Sequence, residues 1–210
     1  GVTLMPIEDQ LRTEWSTLRD RLQAKHLLGG EGASLSLRIP GSDAMWFGRA
    51  TDAAPQHLPL RGAPPNAKVH AMVYAQRADV AAVAWGCGAF GPCLADFGGA
   101  MPQVFDEQAR HLGPMHPGGA AAAALHGRGN VALVAGWPVC LGMTAMRLAL
   151  NAELFEKCAK AYVLAVAGGG RVRPLPWIVR WVANRRLGKD QQRAAARLQQ
   201  GLLPEESKGY

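Results

Sequence analysis

Apolar residues recur along this chain with two periods, and the switches between them mark out its elements. Between residues 7 and 27, Leu11, Trp15, Leu18 and Leu22 recur about every 3.6 positions, which predicts an amphipathic helix. Leu28-Gly29-Gly30 ends it, because glycine accepts the left-handed cap. The period then drops to two. Leu35, Leu37 and Ile39 alternate with Ser34, Ser36 and Arg38, which predicts a half-buried strand. Pro40-Gly41-Ser42-Asp43 turns the chain into a partner strand over residues 44–47. Residues 50–65 carry four prolines and read as loop. Asn66 stands where a helix cap belongs, ahead of a stripe of Val69, Met72 and Val73.

Downstream of that helix, residues 80–85 (VAAVAW) form a short apolar run, a strand covered on both faces. Residues 88–97 read as a short helix, 101–104 as a strand and 105–112 as a helical turn. A loop over 115–119 precedes an alanine-rich helix at 120–125. Strands follow at 130–135 and 139–141, on either side of a bend at Gly136-Trp137-Pro138. A long helix over 144–167 stops at Gly168-Gly169-Gly170. Two further helices begin near Pro176 and Asp190. This order predicts an α/β sandwich with a mixed, mainly antiparallel sheet over residues 1–170, and a basic helical extension over 171–210.

Composition narrows the function. The net charge is +7, but it is uneven: eight of the cations between Arg171 and Arg197 face one acid, Asp190. The extension is therefore a solvated face or a surface for an acidic partner, and nucleic acid is not an expected partner. The long helix is interrupted by Arg147, Asn151, Glu153, Glu156 and Lys157, so no membrane span is expected. The first residues are polar and carry acids early, unlike a secretory leader. Four cysteines without a CxxC pair suggest free thiols in a reducing compartment, hence the cytoplasm. Neither Gly86-Cys87-Gly88 nor the triple glycine fits a phosphate-binding loop.

The order of elements meets specific residues in Gly32-Ala33-Ser34-Leu35-Ser36-Leu37-Arg38, in His70 ahead of Tyr74-x-x-Arg77-x-Asp79-Val80, and in the apolar strand to Trp85. An Ala-Leu-Val strand with a glycine bend and the helix segment Ala-Glu-Leu-Phe-Glu-Lys-Cys-Ala complete the set. From about Leu11 to Ala167 the chain resembles the class II aldolase/adducin family. The resemblance implies a three-layer α/β/α sandwich and a homotetramer with clefts between subunits. It also implies a zinc held by three histidines and a glutamate acting as acid and base. At the matching positions this chain has Trp85 and Cys87 for a His-x-His pair, Gly136 for the third histidine and Asn66 for the glutamate; Ala33-Ser34 stands in the phosphate loop. Zinc requires lone-pair ligands at about 2.0–2.3 Å. An indole and a bare glycine supply none, and one thiolate does not make a site. An amide is not a usable base near neutral pH. No metal and no cofactor are expected.

Several residues remain open to two readings. His70 lines a pocket or packs in a core; Cys87 is a strand-end nucleophile or a small buried apolar group. His116, with His111, grips an anion or lies in solvent. Ser34, Ser36 and Arg38 bind a carboxylate or phosphate, or simply form a polar strand face. Trp85, Asn66 and Gly136 line the crevice, and His126 closes a helix end. Trp177 and Trp181, four apart beside Arg180 and Arg185, meet a membrane surface, an acidic partner or the protein itself. The expected function is a divergent aldolase-like protein that is not a classical aldolase and binds a small acid or a protein partner in the crevice. The alternative is a metal-independent lyase or decarboxylase using Arg38, His70, His116 or Cys87 on a small carboxylic acid.

Overall fold

A computed structural model of the chain describes residues 4–117, 125 and 127–206. Helix α1 (Ile7–Ala24) buries Leu11, Trp15, Leu18 and Leu22, the stripe its period dictates. Strands β1 (Ser34–Ile39) and β2 (Ala44–Arg49) form the expected hairpin, and β3 (Gln56–Pro59) extends it within the stretch read as loop. Helix α2 (Lys68–Gln76) leads to β4 (Ala82–Trp85); β5 (Val131–Val134) and β6 (Trp137–Gly142) follow. Helices α3 (Ala145–Ala167) and α4 (Trp177–Gln199) close the chain.

The six strands run in the order β3-β2-β1-β4-β6-β5, and every pairing is antiparallel. Strand alternation divides the core in two. Leu35, Leu37 and Ile39 join Trp15, Leu22, Leu148 and Phe155 under α1 and α3. Phe47, Val83 and Leu141 join Val73 and Tyr74 under α2. The result is the three-layer α/β/α sandwich. Gly48 is small for a reason: a β-carbon there would come within 2.4 Å of the Trp15 ring, whose indole N–H donates to the Leu35 carbonyl at 2.9 Å.

Four expectations need correction. Residues 101–104 form no strand. Asn66 does not cap α2; it lies in a 3-10 turn, Pro65–Ala67, and the helix start has no side-chain cap. The face of β1 carrying Ser34 and Ser36 is buried rather than half-solvated, because α2 closes over it. The two C-terminal helices are one, running through Gly188, where a β-carbon would lie 2.8 Å from the Arg128 guanidinium carbon. That glycine serves close packing. The alanine-rich helix at 120–125 and His126 fall almost wholly outside the described residues. No helix among the described residues is long and apolar enough to cross a membrane.

Candidate functional site

One end of the sheet gathers the crevice. Ser34 pairs with Arg49 on one side and Trp85 on the other, and Trp85 pairs with Val139. Directly paired residues point to one face, so these side chains share the α2 side. The Trp85 and Trp137 rings meet edge to face, with centroids 6.4 Å apart and planes at 61°. They rest on a glycine floor: a β-carbon at Gly32 would touch the Trp85 ring at 3.7 Å, and one at Gly30 the Trp137 ring at 3.8 Å. Trp137 is 41% exposed, and the Trp85 indole N–H has no hydrogen-bond partner among the described residues. Ala135 and Gly136 form the two-residue turn between β5 and β6, both at positive φ (52° and 79°). Such a turn matches the right-handed twist of the strands it joins. Gly136 faces open space.

Cys87, two residues beyond Trp85, points the other way. It is 1% exposed, within the core under α1 and α3. The neighbouring Cys87 thiol together with burial pushes the Cys140 thiol well above its ordinary value. Asn66 borders a cavity of about 390 Å³ with Phe47, Arg49, Asp52 and Gln56. Arg49 on its wall pairs with Ser34, which pairs in turn with Trp85, so the cavity lies toward the same end of the sheet.

His70 is enclosed. Its Nε2 lies 2.7 Å from Ser34 Oγ and its Nδ1 2.6 Å from Ser36 Oγ, while Ser36 Oγ also meets the Tyr74 hydroxyl at 2.8 Å. Burial pushes the imidazole down to about 3, so it is neutral at physiological pH. Both serines expected to hold a ligand are thereby engaged. Arg38 reaches the opposite end of β1, where it donates to the Tyr74 and Arg77 carbonyls and stacks over the Tyr74 ring. It lines a separate cavity of about 390 Å³ with Gly41, Asp43 and Arg61. His116 is exposed, whereas its expected partner His111 is buried with Nδ1 2.6 Å from Arg147. No hydrogen bond among the described residues joins His70, Cys87 and His116. The candidates thus divide: Trp85, Gly136 and Asn66 lie at the crevice end, and Arg38 does not.

Two structural roles escaped the sequence reading. Glu156, on α3, accepts from the backbone N–H groups of Ala89, Phe90 and Gly91 at 2.9, 2.7 and 3.3 Å, and so holds the segment leaving β4. Its signal was the pair Gly88 and Gly91, each too crowded to carry a side chain. Arg77 binds both oxygens of Asp79 (2.9 and 3.1 Å), the Gly129 carbonyl (2.7 Å) and Asn130 (3.2 Å). The Arg-x-Asp spacing therefore ties α2 to the start of β5.

The donor set does not fit a zinc ion. Trp85 offers only a donor N–H, Gly136 has no side chain, and Cys87 is turned into the core beside Cys140. No group of three His, Cys, Asp or Glu side chains among the described residues could hold a metal ion.

This architecture is the class II aldolase fold. YgbL of Klebsiella pneumoniae superposes with a TM-score of 0.69 at 19% identity, over 85% of this chain and all of that one. An L-fuculose 1-phosphate aldolase gives a TM-score of 0.70 at 18% identity, over 85% and 96%. An aldolase II superfamily protein of Pseudomonas syringae gives 0.65 at 12% identity, over 96% of each chain. No family model and no curated protein matches the sequence.

Proposed function

We propose that this chain uses the class II aldolase fold for binding instead of metal-dependent cleavage of a phosphosugar. Its ligand is a small carboxylate or phosphate-bearing molecule held at the Trp85 crevice. The observation that carries the reading is Trp85, at a position where zinc chemistry would require an imidazole, paired edge to face with Trp137 over Gly30 and Gly32. Arg49 and Asn66 in the adjoining cavity supply a cation and an amide for the ligand's oxygens. The lyase alternative needs a solvent-reachable acid, base or nucleophile. His70 and Cys87 are both enclosed, and the exposed His116 makes no hydrogen bond to either, which leaves that alternative little support. The four free thiols agree with a reducing compartment, and the reading places the protein in the cytoplasm. A homotetramer is the assembly proposed by analogy with the family.

Equilibrium dialysis against zinc provides the main test. The expected result is no tightly held equivalent and no cleavage of L-fuculose 1-phosphate with zinc present. One tightly bound zinc per chain, with cleavage, overturns the proposal. Titration with inorganic phosphate and with acetate, followed by tryptophan fluorescence, should show saturable binding that weakens about tenfold or more in Arg49→Ala.

A further inference from the structure

The two halves of α4 have different surroundings. Leu187, Ala194 and Leu198 are buried against the domain. In contrast, Trp177 is 69% exposed, Ile178 54%, Trp181 54% and Val182 46%. At about 100° per residue these four side chains share one half of the helix circumference with Arg185 and Lys189, opposite the buried stripe. The overhanging half is held in place. Asn184 donates to Gln103 at 2.7 Å and to the Ala109 carbonyl at 2.9 Å, and the Leu175 N–H donates to the Gln103 carbonyl at 2.8 Å.

Residues 171–189 carry six cations and no acid. The Arg185 guanidinium lies over the Trp181 ring at 5.3 Å, so cation and indole present one surface. The first helical turn has neither an acid nor a side-chain cap to occupy its amides. We propose that this face is a peripheral docking surface for an anionic lipid bilayer. Trp177, Ile178, Trp181 and Val182 enter the headgroup boundary, and Arg185 and Lys189 meet lipid phosphates and carboxylates. Tryptophan suits that depth because its ring is apolar and its N–H polar. The apolar patch covers about one and a half turns, enough to rest in the interface but not to span it. Charge decides the occupant: a pairing of copies through this face brings Arg185 and Lys189 of one copy towards those of the other, with no acid on the face to offset them. The inference is independent of the ligand crevice.

Flotation with vesicles tests it on the full chain. The protein should float with phosphatidylcholine vesicles containing phosphatidylserine and stay behind with phosphatidylcholine alone. It should be released when salt rises from about 0.1 to about 0.5 M. Trp177→Ala/Trp181→Ala should weaken partitioning about tenfold or more, and Arg185→Glu/Arg186→Glu should do the same with both indoles retained. Circular dichroism should show both variants folded, since the altered side chains are exposed; if one unfolds, the other carries the test. Equal flotation with neutral vesicles, or unchanged binding by the folded variants, overturns the proposal. So does light scattering that finds an assembly of the wild type dissolved by the tryptophan substitutions, which makes the face an interface between copies. Binding of soluble polyglutamate as tightly as vesicles also overturns it, in favour of an acidic protein partner.

Discussion

His70 shows how burial redirects a side chain whose type suggests chemistry. Two serine hydroxyls occupy its nitrogens, and burial holds it near 3; burial, reinforced by the Arg147 charge, holds His111 near 4. The unfolded chain takes up protons as pH falls through the ordinary value of 6.5, while the folded chain keeps both imidazoles neutral. The stability they contribute is therefore complete above 6.5 and declines from 6.5 down to about 4 for His111 and about 3 for His70. Urea unfolding at about pH 5 should show a loss of about 2–4 kcal/mol relative to about pH 7.5, and His70→Phe should remove a share of that slope. In NMR, the His70 ring should show no titration down to about pH 4. The sequence made His70 visible but not its surroundings. Alternation placed Ser34 and Ser36 on one face of β1, yet no local pattern announced that α2 would close over them.

Among elements, the segment after β4 depends on a carboxylate from distant α3. A β-carbon at Gly88, whose φ is 76°, would lie 2.1 Å from Glu156 Oε2. Gly88→Ala should cost about 1–3 kcal/mol through backbone strain and displacement of that carboxylate. In a Glu156→Ala background the cost should shrink, and a double-mutant cycle by urea unfolding measures the coupling. The elements themselves were the most legible part of the chain. The stripe of α1, the alternation of β1 and the apolar run of β4 each follow from one period. Exceptions arose where tertiary contact overrides local grammar. Gly188 sits mid-helix against Arg128, and β3 forms in a proline-bounded stretch because β2 offers it an edge. Crevice residues were legible only through the resemblance: nothing in the local sequence says that Trp85 and Trp137 meet, or that Cys87 faces Cys140.

At the scale of the molecule, the basic extension is anchored by an enclosed ion pair. Arg110 Nη1 lies 2.7 Å from Asp190 Oδ2, with side chains 5% and 7% exposed. Removing one partner strands the other charge away from water. Asp190→Asn should cost about 3–5 kcal/mol. Wild-type unfolding followed by fluorescence and by far-ultraviolet circular dichroism should coincide in one transition, since Leu187, Ala194 and Leu198 of α4 are buried against the domain. Separate transitions would make residues 171–210 an independent unit. The uneven charge of this region was plain in the sequence, whereas its buried counter-ion was not, because Asp190 reads as a surface helix start.

The edge-on contact of Trp85 with Trp137 has an optical consequence. Two indoles 6.4 Å apart at 61° couple as transition dipoles, which gives the crevice a chiral absorption of its own. A molecule that wedges the rings apart weakens that couplet, while one that settles beside them leaves it intact. The protein thus carries a label-free gauge of how, and not merely whether, its crevice is filled.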